Sequence, residues 1–187
     1  FEGNGYFTPR ALYYLLNKGL RVKIGLKPFT LDGKSYDYGT YLVSVKNQSL
    51  NSNQIYDLIS DIASKNFLKI YGLKTGATEG IDLGSDQFKI IEKPKIGLIV
   101  GDGVRSYDAG EIWHLFDIKY NIPITKIDVN NIDKLNLDKY SHIILPDYSG
   151  ENIDSNKITS YISNGGNLIA FRSSIKTIAL FIIIWRF

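Results

Sequence analysis

The chain has 187 residues, 44% of them hydrophobic and 22% charged, with 22 Lys and Arg against 19 Asp and Glu. That balance belongs to a folded globular protein and excludes disorder; the length suits one ordinary domain or two small ones. The small positive excess is too thinly spread for a phosphate-binding surface, so no nucleic-acid partner is expected. With no Cys in the sequence, disulfides, thiolate metal sites and a cysteine nucleophile are excluded within this chain.

Thr8-Pro9 pairs an N-cap residue with a proline at the first helical position, and Ala11, Leu12, Leu15 and Leu16 share one face, which predicts a helix stopped by Asn17-Lys18-Gly19. Leu20 to Leu26 alternates apolar and charged residues as a half-buried strand does, and Pro28 ends it. Asp32-Gly33 and Tyr38-Gly39 mark a loop or hairpin, followed by a strand over Thr40 to Val45. Asn53 to Lys65 is an amphipathic helix with Ile55, Leu58, Ile59 and Ile62 inward. The Gly-rich, polar stretch Leu73 to Phe88 reads as a long ordered loop.

Glu92-Lys93-Pro94 reads as a linker, dividing an α/β lead-in segment (1–93) from a second domain (94–187). Lys95 to Val100 is a buried-type strand, followed by Gly101-Asp102-Gly103 and a helix capped by Ser106 or Asp108 that runs to about Lys119 with Ile112, Leu115 and Phe116 inward. Strands are expected over Ile122 to Val129, Ser141 to Leu145 (ended by Pro146) and Asn167 to Phe171, with a helix from Ser155 to Ser163 stopped at Asn164-Gly165-Gly166. This rhythm is that of an α/β fold with an open, mainly parallel sheet flanked by helices and right-handed crossovers. The chain has no Met, and its first residues resemble neither a signal peptide nor a transit sequence, so an internal piece of a longer protein is expected. Thr177 to Phe187 (TIALFIIIWRF) reads as a buried strand or helix, as the mark of a cut or misread chain, or as a membrane anchor. It falls short of the roughly 20 residues a bilayer needs, so no membrane span is expected.

Ligands of open α/β sheets collect at the carboxyl ends of the strands. The turn Gly101, Asp102, Gly103, Arg105, Ser106, Tyr107 stands there, beside Asp147, Tyr148 and Ser149 after a later strand. It lacks the third glycine of a dinucleotide fingerprint and the Gly-Lys-Ser/Thr of a P-loop. A tight turn without ligand and a residual crevice for a small molecule or anion are both open readings. Helix amides near Ser106 to Ala109 and the Arg105 guanidinium would favour an anion there, while Asp102 and Asp108 would repel it. Glu111 and His114, three apart on the helix, can reach one point, but zinc usually takes three protein ligands, and the only other histidine is His142. No metal site is therefore expected. Phe171-Arg172-Ser173-Ser174 lacks the flanking glycines of a serine nucleophile elbow and reads as an ordinary loop.

The run KPKIGLIVGDGVRSYDAGEIWHLFDIKYNIPITKIDV, then YSHIILPDYSG and SNGGNLIAF, resembles the C-terminal region of large bacterial zinc metallocarboxypeptidase-like proteins. There a peptidase domain is followed by a region similar to the class I glutamine amidotransferase (flavodoxin-like) fold. YFTPRALYYLLNKGLRVKIGLKPF and TGATEGIDLGSD are similar to the segment leading into it, so the resemblance covers roughly 1–171. It implies a secreted or periplasmic parent whose zinc lies in a peptidase domain before Phe1, because neither histidine here stands in a His-x-x-Glu motif. It also implies that Arg172 occupies the place of the amidotransferase cysteine after Gly165-Gly166, and arginine stays protonated and cannot attack. The expected function is thus a non-catalytic accessory domain that supports folding, docking or substrate presentation for the peptidase domain of the same polypeptide. It carries no catalytic residue or cofactor of its own. The alternative is a small-molecule, peptide or anion binding module with a degenerate crevice.

Overall fold

The computed structural model describes residues 1–151 and 153–183, with side chains as far as residue 179. The chain divides into two compact units, Phe1–Lys93 and Pro94–Phe187.

In the first unit, helix α1 spans Thr8–Asn17. Thr8 is not its cap: Phe7 holds that position, while the buried Thr8 hydroxyl donates to the Glu2 carbonyl at 3.3 Å. Strand β1 (Val22–Gly25) precedes a hairpin of β2 (Phe29–Leu31) and β3 (Lys34–Tyr36). Asp32 (φ 50°) and Gly33 (φ 73°) turn that hairpin, both left-handed as a two-residue type I′ turn requires. Strand β4 (Tyr41–Val43) pairs antiparallel with β1. Helix α2 (Ser52–Asn66) starts in a capping box: Asn51 accepts from the Gln54 amide and the Gln54 side chain accepts from the Asn51 amide, each at 3.0 Å. It ends at Phe67, left-handed at φ 54° and 86% exposed. The stretch expected as a loop to Phe88 instead finishes in a strand, β5 (Phe88–Ile90), which pairs with the other side of β1 to give the order β4-β1-β5. Ala11, Leu15, Val22, Ile55 and Ile62 make one core, and Phe29, Leu31, Tyr36 and Phe88 a smaller one.

The second unit is α/β, a four-stranded parallel sheet flanked by helices. In chain order it contains β6 (Ile96–Val100), α3 (Ser106–Trp113) continued by a π-helical segment (His114–Lys119), β7 (Ile124–Asp128), β8 (His142–Leu145), α4 (Ser155–Ser163), β9 (Asn167–Ala170) and α5 (Ser173–Ile183). The order across the sheet is β7-β6-β8-β9. Alternation along the strands sends Ile99, Ile127, Ile143 and Leu145 to one face, where they pack with Ile158 and Tyr161 of α4 and Ile178 of α5. Leu98 and Ile144 point to the opposite face and are also buried; α3 packs against β6. Neither Ser106 nor Asp108 caps α3. Arg105 holds the cap position with extended backbone and no side-chain cap bond. Ile112, Leu115 and Phe116 are half-buried. The start of the apolar tail, 177–183, lies in α5, and 184–187 fall outside the described residues. No helix among the described residues is long and apolar enough to cross a membrane.

Candidate functional site

The connection from β6 to β7 runs one way across the sheet, and the next returns past β6 to β8. The carboxyl ends of β6 and β8 therefore flank the switch point where open α/β sheets leave room for ligands. Gly101, Asp102, Gly103, Arg105, Ser106 and Tyr107 lie at one of these ends and Asp147 and Tyr148 at the other.

The structure brings the two turns into direct contact. The Arg105 amide donates to the Asp147 carbonyl at 2.8 Å and the Ser149 amide to the Gly103 carbonyl at 3.0 Å, so Val104 and Tyr148 form an antiparallel bridge. Tyr148 does not line a crevice; its side chain is 1% exposed and fills the space between the turns. Two glycines make that possible. A Cβ on Gly103 would stand 2.7 Å from the Gly150 Cα, and one on Gly150 would stand 2.6 Å from the Tyr148 hydroxyl. Asp102 points instead toward Asn130, whose side-chain amide donates to it at 3.1 Å. Ser106 and Tyr107 open α3 and are exposed. The Ala109 amide is spent within the helix, on the Arg105 carbonyl.

Beyond this clasp lies a polar cluster that includes residues of the β9–α5 turn. Arg172 takes φ 52°, a left-handed backbone between strand and helix that few residues other than glycine and asparagine adopt. The expected loop at Ser173-Ser174 is thus the first turn of α5. The Ser173 amide donates to Asp147 Oδ1 at 3.2 Å, and the Ser173 hydroxyl donates to the same oxygen. The buried Ser174 hydroxyl donates to the Pro146 carbonyl. Arg105 meets Asp147 at 3.7 Å and Arg172 meets Asp108 at 3.8 Å, both guanidinium groups being largely exposed. The Ser173 hydroxyl holds the Asp147 carboxyl below the usual carboxylate range; partial desolvation opposes this, and the Ser173 amide, Arg172 and Arg105 reinforce it. Each cation already faces a carboxylate, so the cluster is close to neutral.

The remaining candidates stand apart. Glu111 and His114 are both exposed on their helix, and no group of three or more His, Asp or Glu among the described residues could hold a metal. His142 Nδ1 pairs with the Ser141 hydroxyl at 2.9 Å, at the amino end of β8 and so at the opposite edge of the sheet from Arg172. Concavities of about 360 and 290 Å³ open on the first unit, one beside Phe67, Tyr71 and Lys34, whose ammonium pairs with Glu2 at 2.8 Å, and one beside Asp37 and Tyr38. No protein family matches the chain, and neither a curated protein nor a solved structure is significantly similar to it.

Proposed function

We propose that this chain is a non-catalytic module of a larger, zinc carboxypeptidase-like protein, secreted or periplasmic, in which it supports folding, docking or substrate presentation for the peptidase domain. The observation that carries the reading is Arg172 at φ 52° in the turn between β9 and α5. A strand-to-helix elbow with strained backbone is where α/β hydrolytic enzymes raise a nucleophile. Here the side chain at the turn is a guanidinium, which cannot attack, and it pairs with Asp108 at 3.8 Å. The sheet order β7-β6-β8-β9 accords with a flavodoxin-like, class I glutamine amidotransferase-like arrangement, the finer fold this reading assigns. His142 lies at the amino ends of the strands, opposite the elbow, and His114 is exposed on its helix. The alternative, an anion-binding module, is favoured by the two exposed guanidinium groups near Asp147, but Asp147 and Asp108 already answer them and Tyr148 occupies the crevice.

The test is an assay of the purified chain for glutamine hydrolysis and for release of C-terminal residues from peptides, with and without added zinc. No turnover above a heat-treated control is expected. Turnover that disappears on substituting Asp147 or Ser173 would overturn the reading.

A further inference from the structure

The dipeptide Asn-Gly occurs twice in the sequence, at Asn4-Gly5 and at Asn164-Gly165. Such a linkage is open to attack from within the chain, because glycine has no Cβ to shield its amide nitrogen from the preceding side chain. Both asparagines are exposed, so neither dipeptide sequence nor solvent access separates them. The backbone around them does.

Asn164 is locked. It closes α4 with φ −81° and ψ 5°. The Gly165 amide donates to the Ile162 carbonyl at 3.0 Å and the Gly166 amide to the Tyr161 carbonyl at 2.9 Å, the paired bonds that finish a helix. The Asn164 side-chain amide donates to both carboxylate oxygens of Asp138, at 3.4 and 3.3 Å. Gly166 lies so close to Tyr161 that a Cβ there would stand 2.2 Å from the ring. Bringing the Gly165 nitrogen onto the Asn164 side chain means rotating ψ, breaking these bonds and pulling the turn off the ring.

Asn4 is not held in this way. It precedes α1 and belongs to no helix or strand. The Gly5 carbonyl accepts from the Thr8 amide at 3.0 Å, but among the described residues no hydrogen bond holds the Gly5 amide or the Asn4 side chain. Asn4 borders both concavities of the first unit.

We propose that Asn4 is a site of spontaneous deamidation in the folded protein, and that the fold protects Asn164 from the same reaction. The Gly5 nitrogen gives up its proton to solvent and attacks Asn4 Cγ. The Cγ–Nδ2 bond breaks, Nδ2 takes a proton from solvent and leaves as ammonia, and a five-membered succinimide remains. Water adds to either ring carbonyl and opens the ring to aspartate or isoaspartate. The sum is one water consumed and one ammonia released for each asparagine converted, with no oxidant, metal or cofactor. The product adds a carboxylate to the concavity that Glu2, Lys34 and Lys69 also line.

The test holds the purified chain at mildly alkaline pH and follows the replacement of NH2 by OH at each asparagine by peptide mass spectrometry. Conversion at Asn4 should outrun conversion at Asn164 by at least about 10-fold, because the hydrogen bonds around Asn164 must open first. In guanidinium chloride, where those bonds are gone, the two rates should converge. Asn4→Gln, whose longer side chain closes a ring far more slowly, should abolish the early release of ammonia from the folded chain. Equal rates in the folded chain, faster conversion at Asn164, or a contrast that persists undiminished in guanidinium chloride would each overturn the proposal. The last result would trace the difference to neighbouring residues instead of the fold.

Discussion

Substituting Gly103 by alanine tests the clasp between the β6 and β8 turns. Gly103 has φ 78°, and its new methyl would stand 2.7 Å from the Gly150 Cα, 2.8 Å from the Gly150 nitrogen and 3.0 Å from the Tyr148 ring. The left-handed backbone alone costs an alanine about 1–2 kcal/mol. Overpacking against backbone, which cannot rotate aside, adds roughly 1–3 kcal/mol. Gly165 is the control: its φ is 93° but nothing lies within 4 Å of the added methyl, so Gly165→Ala should show only the backbone cost. Urea unfolding followed by tryptophan fluorescence reports on the second unit, because Trp113 lies in it and the first unit contains no tryptophan. The expected loss for Gly103→Ala is about 2–5 kcal/mol, against about 1–2 for Gly165→Ala. A double-mutant cycle sharpens the point. Tyr148→Ala should cost about 3–5 kcal/mol, yet it should relieve most of the penalty of Gly150→Ala by removing the ring. Equal losses at 103 and 165, or strict additivity of the 148 and 150 changes, would refute the account of a tyrosine seated between two glycines.

Three further outcomes are expected. Because the folded state binds a proton on Asp147 less readily than the unfolded chain does, this contact stabilises above the ordinary carboxylate range and is lost as pH falls through the depressed value; Ser173→Ala should therefore flatten the decline in urea midpoint between pH 7 and strongly acid pH. Asn51→Ala removes the α2 capping box and should lower the stability of the first unit by about 1 kcal/mol, seen in thermal unfolding by circular dichroism. Phe67→Gly should stabilise by about 0.5–1 kcal/mol in the same assay, since glycine adopts φ 54° freely and the lost ring is mostly solvent-exposed.

The strands of the second unit were legible because a run such as Ile96 to Val100 is apolar on both faces, which only a doubly covered strand tolerates. Strand β5 was not, because Phe88-Lys89-Ile90 alternates over only three residues, too short a run to signal a strand; its conformation is imposed by β1 across more than sixty positions of sequence. The α3 cap departs from local preference for a related reason. Ser106 and Asp108 have the intrinsic preference, but the bond from the Arg105 amide to Asp147 fixes Arg105 in extended backbone and starts the helix one residue earlier than a Ser106 cap would. Tyr148, in a turn at the carboxyl end of a strand, reads from sequence as part of a crevice. The signal against that was Gly150 two positions on, a residue small enough to let the ring lie flat beneath the chain. Arg172 carries no sequence mark of its left-handed backbone, since Phe-Arg-Ser-Ser contains neither glycine nor asparagine.

The place of β6 in the sheet bears on how the second unit folds. It is the first strand of that unit to be synthesised and one of the two interior ones in space, with β7 on one side and β8 on the other. Its Leu98 and Ile99 stay without their full cover until two crossovers have been completed, so the nucleus must join segments far apart in sequence and close large loops first. Tyr148 cannot reach its seat before β8 docks. On the ribosome, β6 therefore emerges as an apolar strand with both edges open, the kind of segment that chaperones hold and that aggregates when they are scarce.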